Sequence, residues 1–527
     1  MHLHQRFLSC RPQPEDQRLG GWPYDAQEVD LSLPLLERRL DKDRSRVIHS
    51  ASVRRLQLLP QQGGILAQDS DRRLLSLALE RQQVGRRIVH LIYRKLHGNL
   101  AKHELARHEL AEKELTEQEP ARHELTGLDT ALGCLVDVGC LLCDVGRPPF
   151  GQAGELAVCG WFDSHLPEFG GMTAGGLSVD KKEGHAVLAE LCRFDARAQA
   201  LRSIVTLEGI SLTHAQSATL LGRHEPWPEQ ALSGPFTGNS YRSEAAIETA
   251  MRGALGLTHR SRHPAAYLVD AADAIAQTLA RLEAIVERGL IDPAGLMTQL
   301  KDTFQRRQGQ RPTALNERCF CRHGVVRRWS LGGMLDWALA RYQRDRSEGP
   351  GQFFHYLRLA LGRILVNHGA DAFLQRLAEV REGTPRVNLL AVDPGCRILM
   401  ESLEDLATRL EYLDPDRERQ ELDGFRTICG LLDAALPALR LPMQEFHQLL
   451  DRQEASSPVL GAWAAGLPAG VVRAYRQAIS APAEGMSGAV QETYHRGRLV
   501  HDWICSRTET SALEENMRLR VSGRQQS

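Results

Sequence analysis

The sequence has few aromatic residues, no excess of charge of either sign and no long hydrophobic run. Aromatic residues make up 6% of the chain, and 65 Lys and Arg residues balance 66 Asp and Glu residues. The chain therefore offers little of the basic and aromatic surface that binds single-stranded nucleic acid. No stretch approaches the roughly 20 apolar residues of a membrane span, and the N-terminus lacks the apolar core of a signal peptide. We predict a cytoplasmic protein without a membrane partner, and nothing in the sequence supports nucleic acid as a partner.

Cysteine is neither frequent nor regularly spaced. The 11 cysteines are an odd number scattered over 527 residues, which favours reduced thiols over a disulfide framework. The tightest pair is Cys319 and Cys321, in the segment ERCFCRHG. A zinc site there would need further ligands at matching spacing, and only His323 is near. We therefore predict buried or loop thiols at this pair.

Apolar residues recur at helical spacing along most of the chain, and strand-like alternation is scarce. The clearest segment runs from Ala265 to Arg288, where apolar side chains recur every three or four residues and Gly289 supplies a stop. Similar patterns occur at Leu74–Leu96, Gln352–Val366 and Phe425–Leu436. Hydrophobic residues at 42% and charged residues at 25% are ordinary for a globular protein. The sequence predicts an all-α fold.

Two segments interrupt the helical pattern. A degenerate five-residue repeat fills residues 100–129 (LAKHE, LARHE, LAEKE, LTEQE, PARHE, LTGLD). A five-residue step turns about 140° on a helix, so His103 and His108 would not face each other as a pair of metal ligands would. We interpret these histidines as solvated. The basic, weakly patterned stretch 305–328 is expected to be a lobe boundary or an exposed loop.

The segment Leu141–Glu155 (LLCDVGRPPFGQAGE) carries the most chemical information. It starts as a helix end, turns at a glycine and passes through two prolines into a glycine-rich corner. It resembles the signature HDIGNPPFGHxGE of bacterial deoxyguanosine triphosphate triphosphohydrolases (dGTPases), members of the HD phosphohydrolase superfamily. In this register Cys143 and Asp144 stand at the family's His-Asp pair. Gln152 and Glu155 stand at its second histidine and its glutamate.

Motifs upstream and downstream keep the same register. Residues 41–57 (DKDRSRVIHSASVRRLQ) are similar to the family's DRxR…RRLQ pattern, and residues 79–86 (LERQQVGR) to its EVQQVGR helix. This register places Leu77 at the histidine that opens the family's metal site. Residues 269–277 (VDAADAIAQ) resemble the EAADDIxY helix, so Asp273 stands at the last metal ligand.

Other motif positions depart from the family. Ala274 and Gln277 replace a second aspartate and a substrate-side tyrosine. In residues 191–199 (LCRFDARAQ), which resemble HFEGNAQ, Arg197 replaces the asparagine. Thr237 stands where a phosphate-facing lysine is expected. The resemblance continues into the C-terminal segment HDWICSRTETSALEENMRL, so it covers nearly the whole chain.

The resemblance implies an HD-type helical fold with a helical C-terminal lobe. We expect an N-terminal extension over residues 1–40, an HD-type core over 41–300 with the repeat insert at 100–129, and the C-terminal lobe over 301–527. Enzymes of the family act on deoxynucleoside triphosphates with a divalent metal, magnesium or manganese. They are commonly hexamers, which implies a homo- or hetero-oligomer here.

The metal and catalytic positions are the ones that differ. The four metal positions hold Leu77, Cys143, Asp144 and Asp273, where the family has His, His, Asp and Asp. Leucine has no donor atom, and a thiolate suits softer ions than magnesium or manganese, so we expect weak metal binding at best. Gln152 cannot titrate near neutral pH, which leaves Glu155 as the remaining catalytic candidate.

Four residues stand at substrate-side positions of the family: Arg54, Arg147, Arg197 and Tyr241. Guanidinium groups bind phosphates without a metal, so one hypothesis is a pocket that holds a nucleotide without cleaving it. The opposing interpretation is that Arg147 and Arg197 neutralise Asp144 and Asp273, which are left without a metal.

Two functions remain open from the sequence. The first is a catalytically impaired family member that acts through its nucleotide pocket or by assembling with an active paralogue. The second is an active triphosphohydrolase that releases deoxynucleoside and inorganic triphosphate from an altered metal site, which would need a compensating histidine. We favour the first, because the changes fall on the pocket while the motifs outside it persist.

Overall fold

The computed structural model describes most of the chain. The described residues are 33–61, 72–107, 125–172, 186–221, 240–258, 261–309, 319–322, 325–328, 330–344, 350–384, 387–451, 457–480 and 487–524. Most of the predicted N-terminal extension and the central part of the repeat insert lie outside them, as do His108, Thr237 and His323.

The described residues are predominantly helical and include very little strand, which confirms the predicted all-α class. The first helices are α1 (Leu33–Ile48), α2 (Ala51–Arg55), α3 (Leu74–Arg107), α4 (Asp129–Leu142), α5 (Gly151–Met172), α6 (Ala196–Leu201), α7 (His214–Ala218), α8 (Ala245–Leu255), α9 (Pro264–Glu287) and α10 (Pro293–Gln308). After a β-hairpin follow α11 (Leu331–Arg344), α12 (Pro350–Gln375), α13 (Leu377–Glu382), α14 (Pro394–Glu411), α15 (Pro415–Leu439), α16 (Met443–Leu450), α17 (Pro458–Ala465), α18 (Ala469–Ser480), α19 (Gly488–Cys505) and α20 (Glu509–Arg524). Short 3-10 turns cover Ala189–Cys192, Arg242–Glu244 and Leu389–Ala391, and a π-helical segment, Arg202–Leu207, follows α6.

The helix predicted most clearly from periodicity is α9, at the centre of the fold. It begins at Pro264, where the side chain of His263 accepts from the backbone N–H of Ala265, and Gly289 follows its end with a φ of 74°. Proline at the first position and glycine just past the end are typical helix boundaries. Most of the α9 side chains are buried, and the helix contacts α3, α4, α12 and α14. The other three predicted helices lie within α3, α12 and α15.

The basic stretch 305–328 is not simply a loop. Its first residues complete α10, and the rest includes an antiparallel hairpin of β1 (Cys319–Arg322) and β2 (Val325–Arg328). The stretch is weakly patterned, and neither a helical nor a strand period in its sequence predicted this hairpin. No group of three or more His, Cys, Asp or Glu side chains within the described ranges is arranged to hold a metal ion.

The buried apolar residues of the described ranges form three clusters. The largest extends from Leu40 to Leu410 and is built from α3, α4, α9, α12 and α14. The second extends from Phe150 to Leu519 and joins α5 to the C-terminal helices. The third, smaller cluster lies around Leu77 and Val145. The chemically informative motif contributes to all three clusters, through Cys143, Val145 and Phe150, which fixes its backbone from several sides.

No helix in the part of the chain described by the structure is both long and apolar enough to span a bilayer.

Candidate functional site

The motif segment joins α4 to α5 through a tight turn. Helix α4 ends at Leu142, residues 143–146 form the turn, and α5 begins at Gly151. Phe150 and Gly151 adopt positive φ angles of 64° and 54°, a conformation that is uncommon for a residue with a side chain. The N–H of Phe150 donates to Glu509 Oε1 at 3.2 Å and its ring packs on Gly424. These contacts from the C-terminal helices hold the corner in place.

Gly146 lets the turn lie directly on α6. A Cβ atom at this position would be 2.1 Å from the carbonyl oxygen of Ala196 and 2.5 Å from the backbone nitrogen of Ala200. Both atoms belong to the backbone, so neither can rotate away. The glycine therefore fixes the distance between the Asp144 turn and the helix that carries Arg197.

We expect Gly146→Ala to lower the free energy of unfolding by about 1–3 kcal/mol, because the added methyl group overpacks this contact. Gly160→Ala is the matched control: that glycine lies on α5 with no atom within 4 Å of a Cβ, so alanine should stabilise by about 0.5–1 kcal/mol. Urea denaturation followed by circular dichroism measures both. Equal effects of the two variants would contradict the close contact.

Arg55, rather than Arg54, holds the motif turn from α2. Its guanidinium donates to the carbonyl oxygens of Val145 at 2.8 Å, Arg147 at 2.9 Å and Arg507 at 2.8 Å. Burial lowers the pKa of Arg55 to about 10, and the group remains charged at neutral pH. Arg54, which the sequence placed on the substrate side, has an exposed side chain.

The side chain at the centre of the site is Arg81 of α3. Its guanidinium lies between the two surviving family carboxylates, with Nη1 2.5 Å from Asp144 Oδ2 and Nε 2.6 Å from Asp273 Oδ1. Arg81 is 1% exposed. Burial opposes its charge, but the two carboxylates outweigh burial and raise its pKa. Burial likewise opposes ionisation of Asp144, whose pKa is nevertheless lowered by Arg81 and Arg147.

Two further arginines form an outer ring around this pair of carboxylates. Arg147 Nη1 lies 3.7 Å from Asp144 Oδ1, and Arg197 Nη2 lies 3.6 Å from Asp273 Oδ2. Arg197 makes its shorter ion pair, at 2.7 Å, with Asp270. The predicted neutralisation by Arg147 and Arg197 therefore exists, but both are farther from the two carboxylates than Arg81 is.

The two positions that replace family histidines belong to the packed interior. Leu77 is 1% exposed and packs in the third cluster. The Cys143 thiol donates to the carbonyl oxygen of Gly139 at 3.2 Å, and burial raises its pKa to about 12. Coordination would require loss of this proton and of the bond to Gly139, and the resulting thiolate suits softer ions than magnesium or manganese.

The remaining candidate acid is Glu155, on the first turns of α5. It is half-buried, and burial raises its pKa; the charge of Arg147 opposes this rise, while Asp195 and Asp144 add to it. Gln152, one turn earlier, is exposed. The structure thus brings Glu155 near the carboxylate cluster and leaves Gln152 facing outward.

Tyr241 is buried beside α6. Its hydroxyl donates to the carbonyl oxygen of Asp195 at 3.1 Å and accepts from the N–H of the same residue at 3.3 Å. The guanidinium of Arg498 lies 3.6 Å from the centre of its ring. These contacts link Arg498 of α19 to Asp195, the residue that precedes α6. Tyr241 therefore helps to position α6, which forms one wall of the site.

A cavity of about 600 Å³ opens beside Arg197 and Asp273, a size within the usual range for small-molecule sites. Its charged lining residues are Asp195, Arg197, Asp270, Asp273, Arg281 and Glu404. The cavity is therefore polar and lies between α6, α9 and α14.

The residues present do not fit the divalent metal that the family resemblance implies. Both surviving carboxylates, Asp144 and Asp273, are bound to the Arg81 guanidinium, and the other two positions hold a leucine and a protonated thiol. A guanidinium offers no lone pair and cannot be deprotonated in a protein. Its positive charge therefore lies beside the carboxylates where a cation would bind.

Sequence reasoning missed Arg81, although the sequence contained a signal. Residues 79–86 (LERQQVGR) match the family's EVQQVGR helix, and Arg81 stands at the valine of that motif. A charged residue at an apolar position of a matched helix predicts a buried ion pair. The motif register does not show which carboxylates Arg81 contacts.

The chain is similar along almost its whole length to curated dGTPases. It is 32% identical over 512 residues to a probable deoxyguanosinetriphosphate triphosphohydrolase of Pseudomonas aeruginosa, covering 96% of each chain. It is 29% identical to the deoxyguanosinetriphosphate triphosphohydrolase of Klebsiella pneumoniae and 30% identical to that of Cronobacter sakazakii, in each case over 92% of this chain and 94% of the relative. No family model matches the chain. The helical fold and the motif corner define a protein of the HD phosphohydrolase kind, and within that class the chain belongs to the dGTPase family.

Proposed function

We propose that this protein is a noncatalytic member of the dGTPase family that keeps the family's pocket and has lost its hydrolytic chemistry. The observation that carries the proposal is the buried guanidinium of Arg81 between Asp144 and Asp273. It supplies a fixed positive charge in the place of an exchangeable ion. A guanidinium at this position cannot bind and acidify water as a metal ion does.

The set of side chains that would transfer protons is also incomplete. Gln152 replaces the family histidine and cannot titrate. Glu155 has a raised pKa and lies near Arg147. The charged groups around it, however, are carboxylates and guanidiniums that already form ion pairs. Loss of the metal position and of the titratable histidine together supports absence of turnover more strongly than either change alone.

We expect the purified protein to release no inorganic triphosphate from any deoxynucleoside triphosphate with magnesium, manganese, cobalt or zinc. The Klebsiella pneumoniae relative is the positive control. A variant that combines Leu77→His, Arg81→Val, Cys143→His and Gln152→His tests whether the family chemistry can be restored, because it frees both carboxylates and returns three imidazoles.

The alternative is an active triphosphohydrolase with an altered site. Release of triphosphate by the wild-type protein, lost in Asp144→Asn and Asp273→Asn, would establish this alternative and end the noncatalytic proposal. An Arg419→Ala preparation controls for contaminating hydrolases, because Arg419 and its partner Asp416 are largely exposed, at 77% and 75%.

A noncatalytic protein of this family would act through a bound ligand or through assembly with an active relative, and we propose a cytoplasmic setting for either role. The eight described cysteines that are free thiols support a reducing compartment. If assembly is its role, mixing it with an active paralogue from the same cell should change both the oligomer mass and the rate of triphosphate release. A homo-oligomer that leaves the paralogue's mass and rate unchanged would exclude the assembly role.

A further inference from the structure

The cavity beside the candidate site has an acidic lining. Among the described residues that line it are four carboxylates, Asp195, Asp270, Asp273 and Glu404, and two guanidiniums, Arg197 and Arg281. The lining therefore has two more carboxylates than guanidiniums, and this excess works against a polyanionic ligand. The rest of the lining includes the neutral polar residues Gln277, Thr278 and Thr408.

Neither guanidinium of the lining offers an uncommitted charge. Arg197 forms ion pairs with Asp270 at 2.7 Å and with Asp273 at 3.6 Å. Arg281 donates to both carboxylate oxygens of Glu411, at 2.8 and 2.6 Å, and to the hydroxyl of Thr408 at 3.1 Å. A phosphate would therefore have to compete with these carboxylates for both guanidiniums.

The guanidiniums that lie behind the lining, those of Arg81 and Arg262, are also held in ion pairs. Arg81 is bound by Asp144 and Asp273, and Arg262 lies 2.7 Å from the second oxygen of Asp270. The carboxylates of α9 thus hold the surrounding guanidiniums, and the cavity itself presents amide, hydroxyl and carboxylate groups.

We infer that this cavity binds an uncharged, hydrogen-bonding ligand of nucleoside size and rejects the corresponding triphosphate. The inference rests on the proposed function, since a ligand in this cavity would be held rather than cleaved. The volume of about 600 Å³ accommodates a base and a sugar, and carboxylates, amides and hydroxyls are the partners that bases and sugar hydroxyls require.

Calorimetric titration of the full chain with deoxyguanosine, dGTP and inorganic triphosphate tests the inference. We expect deoxyguanosine to bind at least about tenfold more tightly than dGTP, with no dependence on magnesium, and inorganic triphosphate not to compete. Tighter binding of dGTP, competition by inorganic triphosphate, or no binding of deoxyguanosine would each overturn the inference.

Two substitutions assign the binding to this cavity. Thr278→Val keeps the shape of a buried side chain but removes its hydroxyl, and should weaken deoxyguanosine binding about fivefold or more. Glu404→Gln removes one negative charge from the lining and should strengthen dGTP binding severalfold. Arg419→Ala, far more exposed, is the control for each. Unchanged affinities in both cavity variants would contradict the inference.

The two proposals fail in different ways. Tight binding of dGTP without hydrolysis would overturn the ligand preference and leave the noncatalytic function standing. Hydrolysis of dGTP would overturn the noncatalytic function, whatever the affinity for deoxyguanosine.

Discussion

Arg81→Leu is expected to lower the free energy of unfolding by about 3–5 kcal/mol, because removing one partner of a buried ion pair leaves the other partner uncompensated. Here two carboxylates, Asp144 and Asp273, would lose their closest positive charge. Arg147 and Arg197 lie 3.7 and 3.6 Å from them and would offset only part of the loss. Urea denaturation followed by circular dichroism measures the change.

The triple variant Arg81→Leu, Asp144→Asn, Asp273→Asn separates charge from packing. If the cost of Arg81→Leu arises from stranded carboxylates, removing their charge should recover most of the lost stability. Arg419→Ala, at an exposed ion pair, should change stability little. An Arg81→Leu variant as stable as the wild-type protein, or no recovery in the triple variant, would refute the charge-compensation argument.

Arg202→Met is expected to have a cost of similar size, about 3–5 kcal/mol. Arg202 is 3% exposed. Its Nε and Nη2 donate to the carboxylate of Asp502 on α19 at 2.7–2.9 Å, and its Nη1 donates to Glu244 at 2.6 Å. Methionine keeps much of the volume and removes every one of these bonds, leaving two buried carboxylates.

The same variant should loosen the wall of the cavity. Arg202 immediately follows α6, the helix that carries Arg197, so losing its link to α19 should expose the α6 backbone to solvent. Hydrogen exchange measured by mass spectrometry should show faster exchange in residues 196–207 and in α19. Arg473→Ala, which removes a single bond from an exposed side chain to the carbonyl of Leu207, is the nearby control. Equal exchange in Arg202→Met and the wild-type protein would contradict the role given to Arg202.

The sequence was sufficient for the helical fold and for the register of the motifs. The apolar period of α9 and its Pro and Gly boundaries are local signals, and the structure confirms them. The motif register placed Asp144 and Asp273 together, although they are 129 positions apart (273 − 144), and the structure bridges them through one side chain. Alignment to the family's motifs gives information about such long-range contacts, whereas the spacing of apolar residues does not.

The parts that could not be predicted depend on tertiary contacts. The positive φ of Phe150 is held by Glu509 and Gly424, residues far away in the chain. The pairing of β1 with β2 falls in a short basic stretch where no helical period competes but no strong strand pattern appears. A single arginine on a long helix ordinarily indicates a solvated face. The motif register marks Arg81 as standing at an apolar position, but only the fold shows that it pairs with Asp144 and Asp273.

A cation carried by the chain itself changes how the protein depends on the metal supply of its cell. A pocket that needs a bound ion gains stability in proportion to the logarithm of ion concentration, so it weakens when the ion is scarce. Arg81 cannot dissociate, and its charge cannot be lost at physiological pH. The contribution of this site to the stability of the folded state should therefore be the same in metal-starved and metal-replete cells.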